Sequence, residues 1–161
     1  MADEAAPVLI AYDGSELSQA AVRHAAELFA GRAAMVVTVW EPGMAAVSAG
    51  IPDTMGMGTL PPDPATMEAV DRAQHARATS VATEGAELAR SLGLDAEARA
   101  VPDEVDVADT LLEIGRENAA DVVVVGSHGV SGLRSRLLGG VTRKLIEHGD
   151  LPVLVVRETS T

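Results

Sequence analysis

Short apolar runs recur along the chain, and most of them lack the polar residues that would alternate with apolar ones in a strand exposed on one face. Such runs are typical of strands that are buried on both faces of a sheet. A segment after Gly93 alternates partly and predicts one further strand. The predicted strands cover residues 7–12, 34–40, 95–101, 122–125 and 151–156.

Between these runs, apolar residues recur every three or four positions, which predicts amphipathic helices. Ser15 stands where a side-chain cap would begin the first helix, and glycines stand where the helices would end. The predicted helices cover residues 16–30, 65–92, 106–118 and a last segment, marked by Val141, Leu145 and Ile146, that closes at Gly149.

Strands that alternate with helices predict an α/β fold, in which helices cover both faces of a parallel sheet. Neither an internal repeat nor a second domain is evident, so we predict a single domain over residues 1–161 with a core at about 7–157. Residues 41–64 are rich in Pro, Gly and Met and lack periodicity. They predict a long loop, either a lid over a site or a tolerated insertion. The pattern alone leaves the strand order open.

The composition restricts both the core and the chemistry. Phe29, Trp40 and Tyr12 are the only aromatic residues, so Ala, Val and Leu must fill a core in which the helices approach the sheet closely. The chain has no cysteine, which excludes disulfides, thiolate metal sites and a cysteine nucleophile. The histidines are too scattered along the sequence for a metal signature, and we predict no metal site.

The chain is acidic, with a formal net charge of −12 at pH 7. Because nucleic acids and anionic membranes attract proteins with a positive field, we expect neither as a partner. The N-terminus lacks a basic region and a long apolar stretch, and we therefore predict a soluble, cytoplasmic protein. Residues 126–149 depart from the general acidity, because they contain four Lys or Arg residues and one acid.

The same region begins with the segment GSHGVSGLRSRLLGG, residues 126–140, directly after the fourth predicted strand. Gly126 and Gly129 would let main-chain N–H groups approach a ligand. Gly139 and Gly140 would begin a helix whose unpaired N–H groups favour an anion. Phosphate fits such a loop; tight turning of the chain and a solvated basic face are the alternatives.

Two separated motifs resemble the universal stress protein family. One is VLIAYDGSELSQAAVRHA, and the other is a Gly-x2-Gly-x9-Gly pattern from Gly126 to Gly139 with the following GGVTRKLIEHGDLPVLVVR. The resemblance extends over about residues 7–157. It implies a Rossmann-like, three-layer α/β sandwich with a five-stranded parallel sheet in the order 3-2-1-4-5. In the ATP-binding branch it also implies ATP, alone or with Mg²⁺, at the point where the strand order reverses.

By matching position, the resemblance implies that Asp13 and Val39 lie at the adenine and ribose, while the glycine loop and the following helix surround the ribose and phosphates. Asp13 could equally form an Asx turn, Val39 could be ordinary core, and Arg136 could be solvated. The predicted nucleotide-binding residues are Ala11, Tyr12, Asp13, Val39, Gly126, Ser127, His128, Gly129, Arg136, Gly139, Gly140, Val141 and Thr142.

Gly140 departs from the family pattern, which has Ser or Thr at this position. Glycine has no hydroxyl to donate to a phosphate oxygen, and one neutral hydrogen bond contributes about 0.5 to 1.5 kcal/mol. We therefore expect ATP to bind, but more weakly than it would with serine at this position. The hydroxyl of Thr142 is a candidate for compensation.

The sequence lacks the parts of common hydrolases. It has no G-x-S-x-G elbow, and the adjacent Ser127 and His128 are not expected to point at one another as a catalytic pair. The Walker pattern with its lysine is absent, so we expect no enzyme with fast turnover. The leading hypothesis is a homodimeric, ATP-binding stress-response regulator that switches its binding of a protein partner. An adaptor that binds a protein or small ligand without nucleotide, and a slow ATPase, are the alternatives.

The fifth predicted strand, residues 151–156, is apolar and would tend to pair with another strand if it were exposed at a sheet edge. The resemblance implies antiparallel pairing of this strand across a homodimer. Pro152 cannot donate to a ladder, but it stands near the start of the strand, where it is tolerated.

Overall fold

The structure, a computed structural model, describes residues 6–43, 63–103, 105–128 and 138–157. Within these residues, five strands alternate with four helices along the chain. The strands are β1 (Val8–Ala11), β2 (Ala33–Trp40), β3 (Asp95–Pro102), β4 (Val122–Gly126) and β5 (Val153–Val156). The helices are α1 (Glu16–Leu28), α2 (Pro64–Ser91), α3 (Val107–Glu117) and α4 (Gly140–His148).

All strand pairs in the sheet are parallel, and the strand order is β3-β2-β1-β4-β5. The predicted α/β class and the order implied by the family resemblance are thereby confirmed. The order reverses between β1 and β4, where Ile10 is in register with Val124. The segments that follow these two strands therefore leave the sheet side by side. Of the predicted loop at 41–64, residues 44–62 lie outside the described part of the chain.

Two apolar layers flank the sheet. The helices α1 and α2 cover one face, where Ile10 and Val36 are fully buried. The helices α3 and α4 cover the other face, where Leu9, Leu111 and Leu145 are buried. In the described part of the chain, no helix combines the length and the apolar composition that crossing a membrane requires.

Small residues let α2 approach the sheet closely. Its buried positions are all Ala or Gly. A Cβ at Gly85 would lie 2.7 Å from the Tyr12 ring and 2.8 Å from a methyl group of Val36. A core with few aromatic residues is thus filled by close approach of the backbone, as the composition predicts.

The starts of the helices differ in one respect. The Ser15 hydroxyl accepts the N–H of Ser18 at 3.1 Å and caps α1, and Asp63 and Asp106 cap α2 and α3 through their carboxylates. The N-cap of α4 is Gly139, which makes no side-chain cap. The first N–H groups of α4 are therefore left for solvent or a ligand.

Candidate functional site

The segment after β1 turns sharply at the carboxyl edge of the sheet. The Asp13 Oδ1 atom accepts the N–H of Ser15 at 2.9 Å, which is an Asx turn leading into α1. Gly14 has a φ of +81° and supports the turn. Asp13 therefore stands at the reversal of the strand order, with one carboxylate oxygen engaged by the main chain.

Tyr12 belongs to the core below this turn. Its side chain is buried under α2, and its hydroxyl donates to Glu84 Oε1 at 2.9 Å. Its N–H donates to the carbonyl of Val37, and its own carbonyl accepts the Thr38 hydroxyl at 2.8 Å. Burial, and then the hydrogen bond to Glu84, raises the pKa of Tyr12 to about 12. The polar groups of Tyr12 are thus engaged inside the protein, and its contact with a ligand stays a prediction.

Half-buried apolar side chains lie at the carboxyl edge of the sheet, on the face opposite to the Tyr12 side chain. Ala11, Val39 and Val141 pack against the core beneath α3 and α4. Val39 is in register with Val101 on β3, which packs against the same core. Sequence analysis did not select Val101, although the alternation along its strand places it on this face. An apolar edge of this kind suits one face of a planar base.

Two hydrogen bonds tie the end of β4 to the start of α4. The N–H of Gly139 donates to the carbonyl of Ser127 at 2.7 Å, and the Thr142 hydroxyl donates to the carbonyl of Gly126 at 2.9 Å. Thr142 is 2% exposed. Its hydroxyl proton is used inside the protein, so Thr142 does not supply the donor that Gly140 lacks.

Packing explains two of the predicted glycines. A Cβ at Gly126 would lie 2.8 Å from Cγ of Leu17, and a Cβ at Gly139 would lie 3.2 Å from Cα of His128. A Cβ at Gly140, by contrast, would meet no atom of the described residues within 4 Å. Packing against Leu17 therefore disfavours a side chain at position 126, and position 139 is tight, whereas the described residues leave room for a side chain at position 140.

Ser127 and His128 lie closer together than sequence analysis expected. Ser127 Oγ is 3.2 Å from His128 Nδ1, so the premise that these adjacent side chains would not point at one another is wrong. Ser127 is 7% exposed. No carboxylate of the described residues bonds to the imidazole, and these residues therefore form no serine–histidine–acid triad.

Gly129 and Arg136 of the predicted site lie outside the described residues. Among the residues that are described, no group of three or more histidines and carboxylates could hold a metal ion.

A charged cluster that sequence analysis did not select joins the first turn of α3 to α4. Lys144 Nζ lies 2.7 Å from Asp109 Oδ2 and 3.3 Å from Asp106 Oδ1. The hydrogen bond to Asp109, with the one to Asp106, raises the pKa of Lys144 above its ordinary value. Burial opposes ionisation of Asp106, but hydrogen bonds from the Ala108 N–H and Lys144 outweigh it and hold the pKa of this carboxyl below its usual range. The sequence shows these charges, but only the sheet order brings them together.

A surface pocket of about 300 Å³ opens between the end of β3 and α3. Its lining includes Asp109, Glu113 and Glu117. These carboxylates would repel a phosphate, and β3 lies two strands from β1, where the order reverses. The pocket is therefore distinct from the candidate site at the start of α4.

The strand order and the uncapped start of α4 define a doubly wound α/β protein whose switch point is suited to an anion. The model of the universal stress protein family matches residues 5–157, and the chain belongs to that family. A universal stress protein of Thermus aquaticus, from the QAH/OAS sulfhydrylase 3′ region, is 28% identical over 152 residues. The match covers 93% of this chain and 97% of that protein.

Solved structures share the fold. One is the structure of the hypothetical protein MJ0577; a universal stress protein of Methanocaldococcus jannaschii has the same name. It superposes with a TM-score of 0.75 at 18% identity, and the match covers 98% of this chain and 99% of that chain. A universal stress protein in complex with cAMP has a TM-score of 0.61 at 26% identity, over 94% of this chain and 96% of that chain.

Proposed function

We propose that this chain binds an adenine nucleotide, with ATP as the ligand, and acts as a stress-response switch rather than as an enzyme with fast turnover. The first turn of α4 carries the proposal. The N–H groups of Gly140, Val141 and Thr142 have no acceptor among the described residues, and Gly139 provides no side-chain cap. Three such N–H groups and the positive end of the helix dipole suit a phosphate.

The other end of the ligand has a matching environment. Ala11, Val39 and Val101 offer an apolar surface for one face of the base. Asp13, at the reversal of the strand order, can accept hydrogen bonds from ribose hydroxyls. The relative in complex with cAMP supports an adenine nucleotide as the class of ligand.

We also propose a homodimer that pairs through β5. The N–H of Val123 donates to the carbonyl of Pro152, and that of Ser127 donates to the carbonyl of Val156. Because bonding direction alternates along a strand, the main-chain groups of Val153 and Val155 face away from β4. No described strand pairs with this outer edge, and a second copy in antiparallel orientation would pair with it. Nucleotide occupancy would then change the surface that a protein partner meets.

A matched variant tests the nucleotide proposal. The described residues leave room for the side chain of Gly140→Asp, and an acid in the first turn favours the helix. The carboxylate would occupy the place of the phosphate and repel it. We expect the wild type to show heat of binding with MgATP in calorimetry, or to release an adenine nucleotide that mass spectrometry identifies after denaturation. The variant should do neither and should be at least as stable in urea.

Equal nucleotide binding by the wild type and Gly140→Asp would contradict a phosphate site at α4. Absence of nucleotide from the wild type would favour an adaptor that acts without one. Release of labelled phosphate from bound ATP, measured over hours, tests the slow ATPase.

A further inference from the structure

We propose that the cluster of Asp106, Lys144 and Asp109 determines how strongly the site discriminates among nucleotides by their phosphate charge. This inference rests on the proposed function, because it concerns the charge beside the same start of α4. Lys144 extends from α4 to α3, 2.7 Å from Asp109 and 3.3 Å from Asp106. Lys144 lies within the second family motif, but neither motif includes Asp106 or Asp109, and the apolar edge of the site includes none of the three.

The cluster lies close to the phosphate end of the candidate site. Lys144 follows Gly140 by four residues, a rise of about 6 Å along the helix, and helical side chains lean back toward the N-terminus. Asp106 is the N-cap of α3, and Asp109 lies in its first turn. Both helices begin at the carboxyl edge of the sheet, and we take these charges to lie roughly 10 Å from a phosphate at α4, which is about one Debye length at 0.1 M salt.

The charges of the cluster have opposite effects on such a ligand. Two carboxylates at this place would repel a phosphate, and the ammonium of Lys144 offsets one of them. Its side chain is 33% exposed and held between the aspartates, so we assign it to charge balance rather than to direct contact with the ligand. Because Coulomb energy scales with the product of the charges, loss of Lys144 should weaken binding more for each added negative charge on the ligand.

Two variants and a matched control test this scaling. Lys144→Met removes the balancing charge, and Asp109→Asn removes one repelling charge. The control, Arg116→Met, removes a comparable ion pair, in which a guanidinium nitrogen of Arg116 lies 2.8 Å from Asp150 Oδ1. Arg116 lies about 15 Å along α3 from Asp106. Calorimetry at low salt without magnesium would compare adenosine, AMP and ATP.

For Lys144→Met we expect about a twofold loss of affinity per ligand charge. Adenosine binding should not change, whereas AMP should bind about fourfold and ATP about fifteenfold more weakly. Asp109→Asn should shift AMP and ATP in the opposite direction, and Arg116→Met should leave the three affinities unchanged. Raising the salt concentration should reduce the differences.

An equal loss for adenosine, AMP and ATP would indicate that the ion pairs only hold the helices together, and it would overturn the inference. The same graded loss in Arg116→Met would also overturn it. Nucleotide binding without any charge-graded change contradicts this inference alone. Failure of the wild type to bind any of the three ligands contradicts the proposed function as well. Asp109→Asn provides an independent result if Lys144→Met does not fold.

Discussion

Replacing Gly140 with serine should strengthen ATP binding. Position 140 is the first residue of α4, and a Cβ there would meet no atom of residues 6–43, 63–103, 105–128 and 138–157 within 4 Å. The Ser hydroxyl would therefore be added without displacing any of these described atoms. It would lie beside the three N–H groups to which we assign the phosphate.

The size of the effect follows from one added hydrogen bond. A net contribution of about 0.5 to 1.5 kcal/mol corresponds to about a two- to twelvefold increase in affinity. Thr142 does not reduce this gain, because its buried hydroxyl donates to Gly126. Replacing glycine in a helix also stabilises the fold by up to about 1 kcal/mol, and this effect has to be separated from binding.

Gly140→Ala separates the two effects, because alanine adds the same Cβ without a hydroxyl. Calorimetry with MgATP on the wild type and both variants gives the affinities, and urea unfolding gives the stabilities. We expect the Ser variant to bind more tightly than the Ala variant at similar stability. Equal affinities would refute a phosphate contact at position 140, and weaker binding by Ala than by Gly would refute the open space beside it.

Three further predictions concern the core and the edge of the sheet. Tyr12 is the only tyrosine, and its pKa of about 12 exceeds the ordinary 10.0. Its neutral form contributes fully to the free energy of unfolding below pH 10, and about 2 to 3 kcal/mol of that free energy is lost as the pH rises through 12. Tyrosinate absorbance should show this midpoint and be absent in Tyr12→Phe, whereas a midpoint near 10 would contradict the burial. Gly85→Ala should cost about 1 to 3 kcal/mol in urea unfolding, because its Cβ would overlap the core; stability equal to that of Gly140→Ala would argue against such overlap. Val155→Pro removes an outward N–H of β5 and should give monomers in light scattering, whereas Val155→Ala should remain dimeric; dimers in both variants would exclude this edge as the interface.

Sequence periodicity predicted the strands and helices because each element has its own local pattern. The apolar run before Gly126 and the Ser15 cap each determine structure within a few residues. The strand order followed only from the family resemblance, because apolar strands of similar composition can neighbour one another in several ways. The structure confirms that order.

The candidate site was less predictable, since its properties depend on contacts between distant segments. Gly126 was expected to admit a ligand, but the packing of Leu17 already requires a glycine there. Tyr12 stands beside Asp13 in the sequence, yet its ring lies under α2. The cluster around Lys144 depends on how α3 and α4 pack, and no local motif encodes it.

The start of α4 shows how packing can leave helix N–H groups uncapped at a cost in stability. A capping side chain at an N-cap contributes about 1 kcal/mol, and α1, α2 and α3 each have one. A Ser or Asp at position 139 would bring its Cβ within 3.2 Å of His128 Cα, and its oxygen would compete with a phosphate for the same N–H groups. The close approach of His128 therefore disfavours a capping side chain at position 139, and glycine there leaves these donors open. No described atom imposes that constraint at position 140, so we expect substitutions there to change the proposed phosphate affinity without disturbing the contact between Gly139 and Ser127.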